Sequence, residues 1–410
     1  GQEGDMTHNP PIEFVPTQYY GSVNGFTTAG GLIGPPSFGS AFQEQPQEPK
    51  IYGAGLEIQQ AVGFGTVLSV GYVGNTTRHL TGQTNINEVP YGAEFLPQNQ
   101  YCSSLGSGGT CKTYSVLPDN FFRPYPGYNA LTYRTTGFDS NYNSLQVQVT
   151  RRYANSLEFG LAYTWSRYMD FADEYDSGVA TYQPLRVWNY GPANEDHRNN
   201  LVVNYLYDFP KVRGAWSNFA AKAILDGWQL SGIASYISGN PTSISYSTVD
   251  SVNTTGGGDG ARIVLAGDPI EGAPHRWAQY FNTSAVQRPT TGAYNITTGQ
   301  QVYSNGVSRM QPLVTPGHAN FDTALFKNFT VHERYQVQLR LETYNTLNSP
   351  EFDAVNNAAK FSAFTGGQTV NTINGPVMVN GTSTQVNAQF GQISGSAGPR
   401  TLQLAGRINF

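Results

Sequence analysis

The sequence predicts an all-β chain, namely an antiparallel transmembrane β-barrel segment with long loops on one side and short turns on the other. Three observations predict this fold. Apolar residues alternate with polar or small residues along many short stretches, and the connections between these stretches alternate between short and long. The last stretch, residues 401–410, alternates in the same way and ends on Phe410. Alternation of period two is typical of strands that have one apolar face, and an aromatic residue at its end suits a membrane boundary.

The composition excludes several other classes of protein. Charged residues make up 12% of the chain and aromatic residues 13%, whereas disordered chains have more charge and fewer aromatic residues. Helical proteins are rich in Ala, Glu, Lys and Leu, but this chain takes its polarity from amides, hydroxyls and 46 glycines. The net charge of −5 argues against a nucleic-acid partner. No run of apolar residues is long enough to predict a membrane-spanning helix.

Residues 1–50 are rich in proline and glycine, and we interpret them as an irregular segment with one candidate strand at residues 12–20. Pro16 restricts that strand to an edge or to irregular pairing. The chain begins at Gly1 without a charged and apolar leader, so we expect any signal peptide to have been removed already. The alternation sharpens from Tyr52 onward, and residues 51–410 are predicted to form the C-terminal part of a barrel.

Three hairpins share one design. Alternating strands flank short turns at residues 63–65, 154–156 and 331–334, and two further strands flank a longer connection at 209–226. In the last hairpin, Arg340 and Glu342 share the polar face of a strand. In a barrel that face lines the lumen, so both charges are candidate ligand contacts.

The lengths of the connections are the strongest observation. Short connections alternate with long ones at residues 76–141, 170–196, 241–319 and 349–400. Outer-membrane barrels have this asymmetry, with short periplasmic turns and long extracellular loops. A soluble β-sandwich has no reason to segregate loop lengths in this way. An open sheet edge cannot be satisfied in lipid, so we expect about ten strands here to belong to a larger closed wall.

Cys102 and Cys111 flank a stretch rich in glycine and serine. A single close pair in such a loop predicts a disulfide and hence an oxidising, extracytoplasmic compartment. The alternative, a metal site, would need further Cys or His ligands.

Four acidic residues lie at the start of the loop at 170–196, namely Asp170, Asp173, Glu174 and Asp176. Oxygen ligands at such spacing can bind Ca²⁺, although the spacing is not that of an EF-hand. A solvated acidic loop is the alternative. Ca²⁺ is the single candidate cofactor that the sequence suggests.

Aromatic residues in the long loops are candidate contacts for sugars or peptides: Phe121, Phe122, Tyr125, Tyr128, Trp188, Tyr190 and Trp277. Loop aromatics are equally often packing anchors.

No catalytic arrangement is apparent, and we expect no enzymatic activity. The six histidines are scattered, and neither a zinc-protease motif nor a nucleophile elbow is present. The glycine run at residues 256–260 lacks the lysine and the strand–helix context of a phosphate-binding loop, so it predicts a flexible loop.

Several segments of the chain resemble the C-terminal barrel of TonB-dependent outer-membrane receptors. The resemblance is to the Oar-like branch, which carries a carboxypeptidase-regulatory-like domain and is abundant in soil bacteria such as acidobacteria. It extends in order over nearly the whole chain from about residue 50. The segments are YNSLQVQVTRRY (142–153), LEFGLAYTWSRYMD (157–170), PLRVWNYGPANEDHRNNLVVNYLYDFP (184–210), LDGWQLSGIASYISGNP (225–241), TTGGGDGAR (254–262), NFDTALFKNF (320–329) and PRTLQLAGRINF (399–410).

The resemblance implies a barrel of 22 strands, an N-terminal regulatory β-sandwich and a plug domain that contacts TonB. It implies that the remainder of the barrel and the plug belong to the same gene or to a second chain, and that TonB acts through that plug. The predicted function is import of a large nutrient such as an oligosaccharide, a peptide or a metal chelate across the outer membrane. Two alternatives remain open: a structural or adhesive surface barrel that displays loops, and a soluble β-sandwich binding module.

Overall fold

The structure, a computed structural model, describes residues 38–126, 128–171, 178–181, 184–211, 223–258, 260–306, 308, 311–331 and 335–409. Nine long strands form one antiparallel sheet in which each strand pairs with the next one along the chain. These wall strands are β1 (Lys50–Gly63), β2 (Thr66–Asn85), β3 (Leu131–Ala154), β4 (Leu157–Asp170), β5 (Asn199–Asp208), β6 (Trp228–Ile237), β7 (His318–Val331), β8 (Tyr335–Tyr344) and β9 (Thr401–Asn409).

Short elements lie outside these nine strands. The helix α1 spans Leu185–Asn189, and Phe38–Phe42 pairs in parallel with the start of β3. The candidate strand at residues 12–20 lies outside the described residues. The other short strands are Gln100–Leu105, Cys111–Val116, Gly191–Pro192, Pro241–Thr242, Ser245–Thr248, Val264–Leu265, Val286–Gln287, Ala293–Asn295, Gln300–Val302, Leu313–Val314, Phe352–Val355, Ala358–Phe361, Thr369–Thr372, Gly375–Met378 and Ile393–Ser396. Single 3₁₀ turns occur at Ala93–Phe95, Pro97–Asn99, Ser107–Gly109, Asp119–Phe121 and Thr283–Ala285.

The hairpin turns follow from local sequence. Asn155 and Ser156 join β3 to β4, and both have positive φ angles of 51° and 66°. A two-residue turn of this kind matches the twist of the flanking strands, and asparagine tolerates the left-handed conformation. No helix in the described part of the chain is long and apolar enough to cross a membrane.

One face of the sheet, here called the apolar face, carries apolar side chains in every wall strand. The register aligns these side chains across neighbouring strands. The side chains of Leu404 and Leu56 are 81% and 68% exposed. A contiguous exposed apolar surface marks contact with a membrane or with another protein. Two of the aligned rows are Ile58, Val70, Val147, Tyr163, Leu201 and Tyr236, and Leu157, Tyr207, Leu230, Leu325, Leu341 and Leu404.

The opposite face of the sheet, here called the polar face, carries amides, hydroxyls and carboxylates. Glu158, Leu206, Ser231, Ala324 and Glu342 form one of its rows. Two hollows of the molecule lie on this face, which is therefore the concave side of the wall. The alternation read from the sequence thus predicted both faces correctly.

The four long connections leave the wall at one rim, because consecutive antiparallel strands bring every second connection to the same side. They span residues 86–130, 171–198, 238–317 and 345–400. We call their described residues the cap. The predicted loop at 76–141 is shorter in the structure, since β2 and β3 stay paired as far as Asn85 and Thr132. The other three connections have their predicted positions within a few residues.

The hydrophobic core lies in the cap and not in the wall. Among the described residues, every buried apolar side chain except Leu131 and Phe138 of β3 belongs to a long connection. The largest cluster joins the connections 238–317 and 345–400. It consists of Ile244, Ile263, Phe281, Val286, Leu313, Ala359, Phe361 and Phe390.

The glycine run at residues 256–260, predicted to be flexible, is a packed contact between two connections. A Cβ atom on Gly256 would collide with the Phe95 ring, and one on Gly257 would collide with Val89. Glu94 donates its backbone N–H to the Gly256 carbonyl at 2.9 Å. The prediction was wrong for the described part of the run, because here glycine permits close packing through positive φ angles.

Candidate functional site

Two hollows on the polar face form the candidate site. The first has a volume of about 400 Å³ and is lined by Glu158, Asp322 and Glu342 together with Asn204. The second has a volume of about 560 Å³ and is lined by Glu57, Ser69, Gln146, Gln148 and Thr164. Carboxylates, amides and hydroxyls are therefore the polar groups that a solute would meet along this side of the wall.

The register places the carboxylates of the first hollow. Glu158 on β4 and Glu342 on β8 lie in the same row across the sheet. Asp322 on β7 accepts a hydrogen bond of 2.9 Å from the backbone N–H of Asn345. In the part of the chain that the structure describes, the carboxylates of Glu158 and Glu342 bond to no protein group. Both are therefore available to a ligand.

Glu57 in the second hollow has a protein partner, since the Ser69 hydroxyl donates a hydrogen bond to its carboxylate. Gln146 is oriented by Ser144, whose hydroxyl oxygen lies 3.3 Å from the Gln146 amide nitrogen. This hollow thus presents neutral amides beside a carboxylate that already accepts one hydrogen bond.

Arg340 and Glu342 share the polar face, as their spacing in the sequence indicates. The Arg340 Nε atom donates to Gln338 at 2.7 Å, and the guanidinium lies 5.3 Å from the centre of the Phe326 ring. Arg340 is therefore held by these two residues, and Glu342 lines the hollow without it.

The aromatic residues at 121–128 take several environments. Phe121 is 49% exposed, whereas Tyr128 is 3% exposed. The backbone N–H of Tyr125 donates to the side-chain oxygen of Asn87 at 2.7 Å. The Asn87 amide in turn donates to the carbonyls of Tyr125 and Tyr128. Asn87 thus organises this stretch, but no pattern in the sequence distinguishes it from other asparagines.

Trp188 and Tyr190 are packing anchors. Trp188 is 2% exposed, and the guanidinium of Arg262 lies 4.4 Å from the centre of its ring. Tyr190 lies between Arg186, at 4.2 Å, and the ring of Phe171, at 5.2 Å. The Trp188–Arg262 contact joins two connections that are distant in sequence, whereas the contacts of Tyr190 lie within one connection.

Trp277 and Phe122 complete the predicted aromatic set. The Trp277 side chain is 60% exposed, and its ring centre lies 5.8 Å from that of Phe352. Phe122 ends the 3₁₀ turn Asp119–Phe121 and is half-buried. Trp277 and Phe121 are therefore the members of the set that present large exposed rings, and they belong to different connections.

The family of the chain can be assigned at this point. The family model described as outer membrane beta barrel domain matches residues 2–403. The chain belongs to this family. It is accordingly an all-β protein of the bacterial outer membrane, and the antiparallel sheet of nine long strands is the main element of the described residues.

Comparisons with individual proteins add two findings. No curated protein matches the sequence significantly. Among solved structures, this outer membrane beta barrel domain is similar to the outer membrane transporter YddB from Escherichia coli, with a TM-score of 0.37 and 8% sequence identity. The similarity covers 92% of this chain and 34% of that one. The chain thus spans about a third of the length of that transporter chain.

The predicted disulfide is confirmed. Cys102 and Cys111 are bonded, with 5.6 Å between their Cα atoms, and join the strands Gln100–Leu105 and Cys111–Val116 of a small hairpin. Asn374 in another connection holds this hairpin in place, because its side chain accepts from the Tyr114 N–H and donates to the Tyr114 carbonyl.

The predicted Ca²⁺ site lies mostly outside the described residues, because these exclude Asp173, Glu174 and Asp176. Asp170 is 5% exposed at the end of β4. Among the described residues, no group of three His, Cys, Asp or Glu side chains could hold a metal ion. The Ca²⁺ site stays a prediction.

An ion pair between a buried arginine and a partly exposed aspartate supports the cap. The Arg288 side chain is 1% exposed, and it donates to Asp250 at 2.9 Å and to the Ser362 carbonyl at 2.6 Å. Partial burial raises the pKa of Asp250, but hydrogen bonds from Thr248 and Arg288 and the charge of Arg288 outweigh it. The pKa of Asp250 is therefore below its ordinary value.

Proposed function

We propose that this chain forms part of the wall and the outer cap of a TonB-dependent receptor of the Oar-like branch. It would import a large nutrient such as an oligosaccharide, a peptide or a metal chelate. The observation that carries the proposal is a sheet with a continuous apolar convex face and a concave face bearing unpaired carboxylates. Outer-membrane lipid covers the first face, and the second lines the path of the solute.

The proposed orientation places the cap outside the cell and the short turns in the periplasm. Outer-membrane barrels carry their long connections on the extracellular side. The disulfide of Cys102 and Cys111 fits this side, since disulfides persist in oxidising compartments. The cap then meets the nutrient first, and the exposed rings of Phe121 and Trp277 are its proposed aromatic contacts.

The polar face guides the solute after capture. Glu158, Asp322 and Glu342 would attract cationic groups or accept hydrogen bonds from hydroxyls, and the amides of the second hollow can both donate and accept. The proposal assigns this chain no catalytic step, no resident cofactor and no nucleic-acid partner.

Strand direction constrains what completes the wall. Consecutive antiparallel strands alternate in direction, so β1 and β9 run the same way and cannot close on each other in antiparallel pairing. Closure around the nine wall strands of the described residues needs an odd number of further strands, and a barrel of 22 strands would add 13. A second copy in the same orientation would begin with a strand of the wrong direction. We therefore expect the remaining strands and the plug from the same gene or from a different chain, with TonB acting through the plug.

A gene deletion in the source bacterium tests the proposal. We expect the strain to lose uptake of one class of labelled oligosaccharide, peptide or metal chelate, and a strain without functional TonB to lose the same uptake. The complete gene should restore uptake in the first strain. Uptake that is independent of TonB would contradict the energy-coupling part of the proposal.

The structure of the cap favours a second candidate function, the display of an adhesive surface. The connections 238–317 and 345–400 share a hydrophobic core, and hydrogen bonds tie both of them to the connection 86–130, as a rigid display surface requires. For this function, the deletion strain would lose attachment to surfaces or cells while the uptake of every tested nutrient stayed normal. Loss of uptake with normal attachment would exclude it.

A further inference from the structure

We infer that residues 224–227, which directly precede β6, lie in the membrane interface and bind the acyl chains of lipid beside the apolar face. We call residues 224–227 the interfacial turn. The inference rests on the proposed membrane position of the wall, but it concerns a segment that the alternation of the strands does not cover.

Lys327 fixes the position of the interfacial turn. It lies on the apolar face in the last third of β7, in register with Trp228 and Leu339, and it is 5% exposed. Its ammonium donates to the carbonyls of Ile224, at 3.1 Å, and Asp226. A cation on an apolar face is costly unless it is paired, and here the carbonyls of the turn satisfy it.

Two aromatic rings and one further hydrogen bond support this contact. The Lys327 ammonium lies 5.0 Å from the centre of the Trp228 ring and 5.2 Å from that of Phe329. The Trp228 indole N–H donates to the Ile224 carbonyl at 2.7 Å. The Ile224 carbonyl therefore accepts from two side chains of the apolar face, and the turn is held against the wall.

Gly227 makes the close approach possible. Its φ angle is +82°, and a Cβ atom there would lie 2.5 Å from the Asn328 carbonyl oxygen. The backbone N–H of Asn328 donates to the Gly227 carbonyl at 2.9 Å. The turn thus bonds directly to the backbone of β7 and does not extend freely into the aqueous phase.

Two side chains of the interfacial turn, together with the neighbouring Phe209, form an exposed apolar surface. Ile224 is 65% exposed, and Leu225 and Phe209 are each 41% exposed. Their surface continues the apolar face through Trp228 and Tyr207, whose ring centre lies 5.2 Å from that of Phe209. Because this surface is continuous with the apolar face that lipid covers, we assign lipid as its occupant as well. Aromatic residues beside a charged group are typical of a membrane interface.

Spin labelling tests this inference in the full-length protein in outer-membrane preparations. The two cysteines of this chain are joined in a disulfide and do not compete for the label with a cysteine introduced by Ile224→Cys, and the protein without an introduced cysteine gives the background signal. Leu404→Cys on the apolar face is the lipid reference, and Val386→Cys in the cap, 47% exposed, is the aqueous reference. Collision of the label with oxygen, which partitions into lipid, is compared with collision with a water-soluble nickel complex.

The result expected at Ile224→Cys is an excess of oxygen collisions over nickel collisions, as at Leu404→Cys, with the reverse at Val386→Cys. Nickel collisions at Ile224→Cys as frequent as at Val386→Cys would overturn the inference if Leu404→Cys still reports lipid. Aqueous behaviour at both Ile224→Cys and Leu404→Cys would instead contradict the proposed membrane position of the wall.

A second variant tests the role of Lys327. Lys327→Met keeps the length of the side chain but removes the donor to both carbonyls, so we expect the label at Ile224→Cys to become more mobile. Lys112→Met, on an exposed lysine of the cap, is the matched control and should leave the spectrum unchanged. An unchanged spectrum with Lys327→Met would show that Lys327 does not hold the turn.

Discussion

The Tyr72 hydroxyl donates a hydrogen bond of 2.6 Å to the side-chain oxygen of Asn143 on the neighbouring strand. Between them lies Gly74, which is directly paired with Asn143. A Cβ atom on Gly74 would collide with the Tyr72 hydroxyl. The tyrosine can therefore lie along its own strand and reach the next one only because glycine leaves the space open, an arrangement that also fixes the register of β2 against β3.

Replacing Gly74 with alanine should destabilise the wall by about 0.5–1.5 kcal/mol, because Tyr72 must move and lose its hydrogen bond. Tyr72→Phe should cost a similar amount. Gly55→Ala is the control, since the nearest atom to its Cβ would be the Tyr72 carbonyl oxygen at 3.7 Å. The measurement is urea unfolding in detergent micelles. Equal effects of Gly74→Ala and Gly55→Ala would contradict the role of the contact.

The two tryptophans Trp188 and Trp277 should respond in opposite ways to truncation. Trp188→Ala removes a buried ring that packs under Arg262, so the cap should lose about 3–5 kcal/mol of stability. Trp277→Ala removes an exposed ring and should leave stability nearly unchanged while weakening nutrient binding. Thermal unfolding and binding of the imported nutrient separate the two effects. Loss of binding without loss of stability in Trp188→Ala would refute its assignment as an anchor.

Acid should loosen the cap before it affects the wall. The pKa of Asp250 is lowered in the folded protein, so its contribution to stability is present above the ordinary pKa of aspartate and is lost as the pH falls through the lowered value. We therefore expect the cap to become sensitive to pepsin as the pH falls below about 4.

Asp250→Asn should remove this part of the pH dependence. Arg288→Met should destabilise the cap at neutral pH by about 1–3 kcal/mol, because Asp250 loses its cationic partner and, among the described residues, the Ser362 carbonyl keeps only the Ser383 hydroxyl as a donor. The matched control is Asp268→Asn, which changes an exposed aspartate elsewhere in the cap. A pepsin profile that is the same for Asp250→Asn and the unmodified protein would rule out the ion pair as the acid-sensitive group.

Glu158→Gln and Glu342→Gln should lower the uptake of a cationic nutrient without unfolding the protein. Neither carboxylate has a partner among the described residues, so its charge is available to the solute. Removal of one charge–solute contact of about 1 kcal/mol should weaken uptake about fivefold. Glu271→Gln, on an exposed carboxylate of the cap, is the control. If Glu271→Gln reduced uptake as strongly, the effect would reflect total charge and not the hollow.

The wall could be predicted from the sequence because its strands obey a simple rule. Side chains alternate with period two, and a strand with one apolar face must present every second residue to that face. Leu404, Tyr163 and Glu342 therefore lie on the expected faces. The disulfide could also be predicted, since a close pair of cysteines in a short loop has few alternatives.

The cap could not be predicted in the same way. Its core joins residues such as Ile244 and Phe361, which are far apart in sequence and lie in stretches without periodicity. The environment of Trp188 is decided by contacts with Arg262, which lies in another connection. The residues around a tryptophan in the sequence therefore do not distinguish an exposed ligand contact from a buried packing anchor. Local patterns carry no information about such long-range packing.

The parallel pairing of Ser245–Thr248 with Ala358–Phe361 restricts the order in which the protein can be assembled. The chain between these two segments contains the whole β7–β8 hairpin, so the pair forms only after both strands of that hairpin have been synthesised. Until then, Ile244 and Phe361 have no shared core and remain exposed. A chain whose synthesis stops before Ala358 therefore leaves Ser245–Thr248 unpaired and Ile244 accessible to proteases.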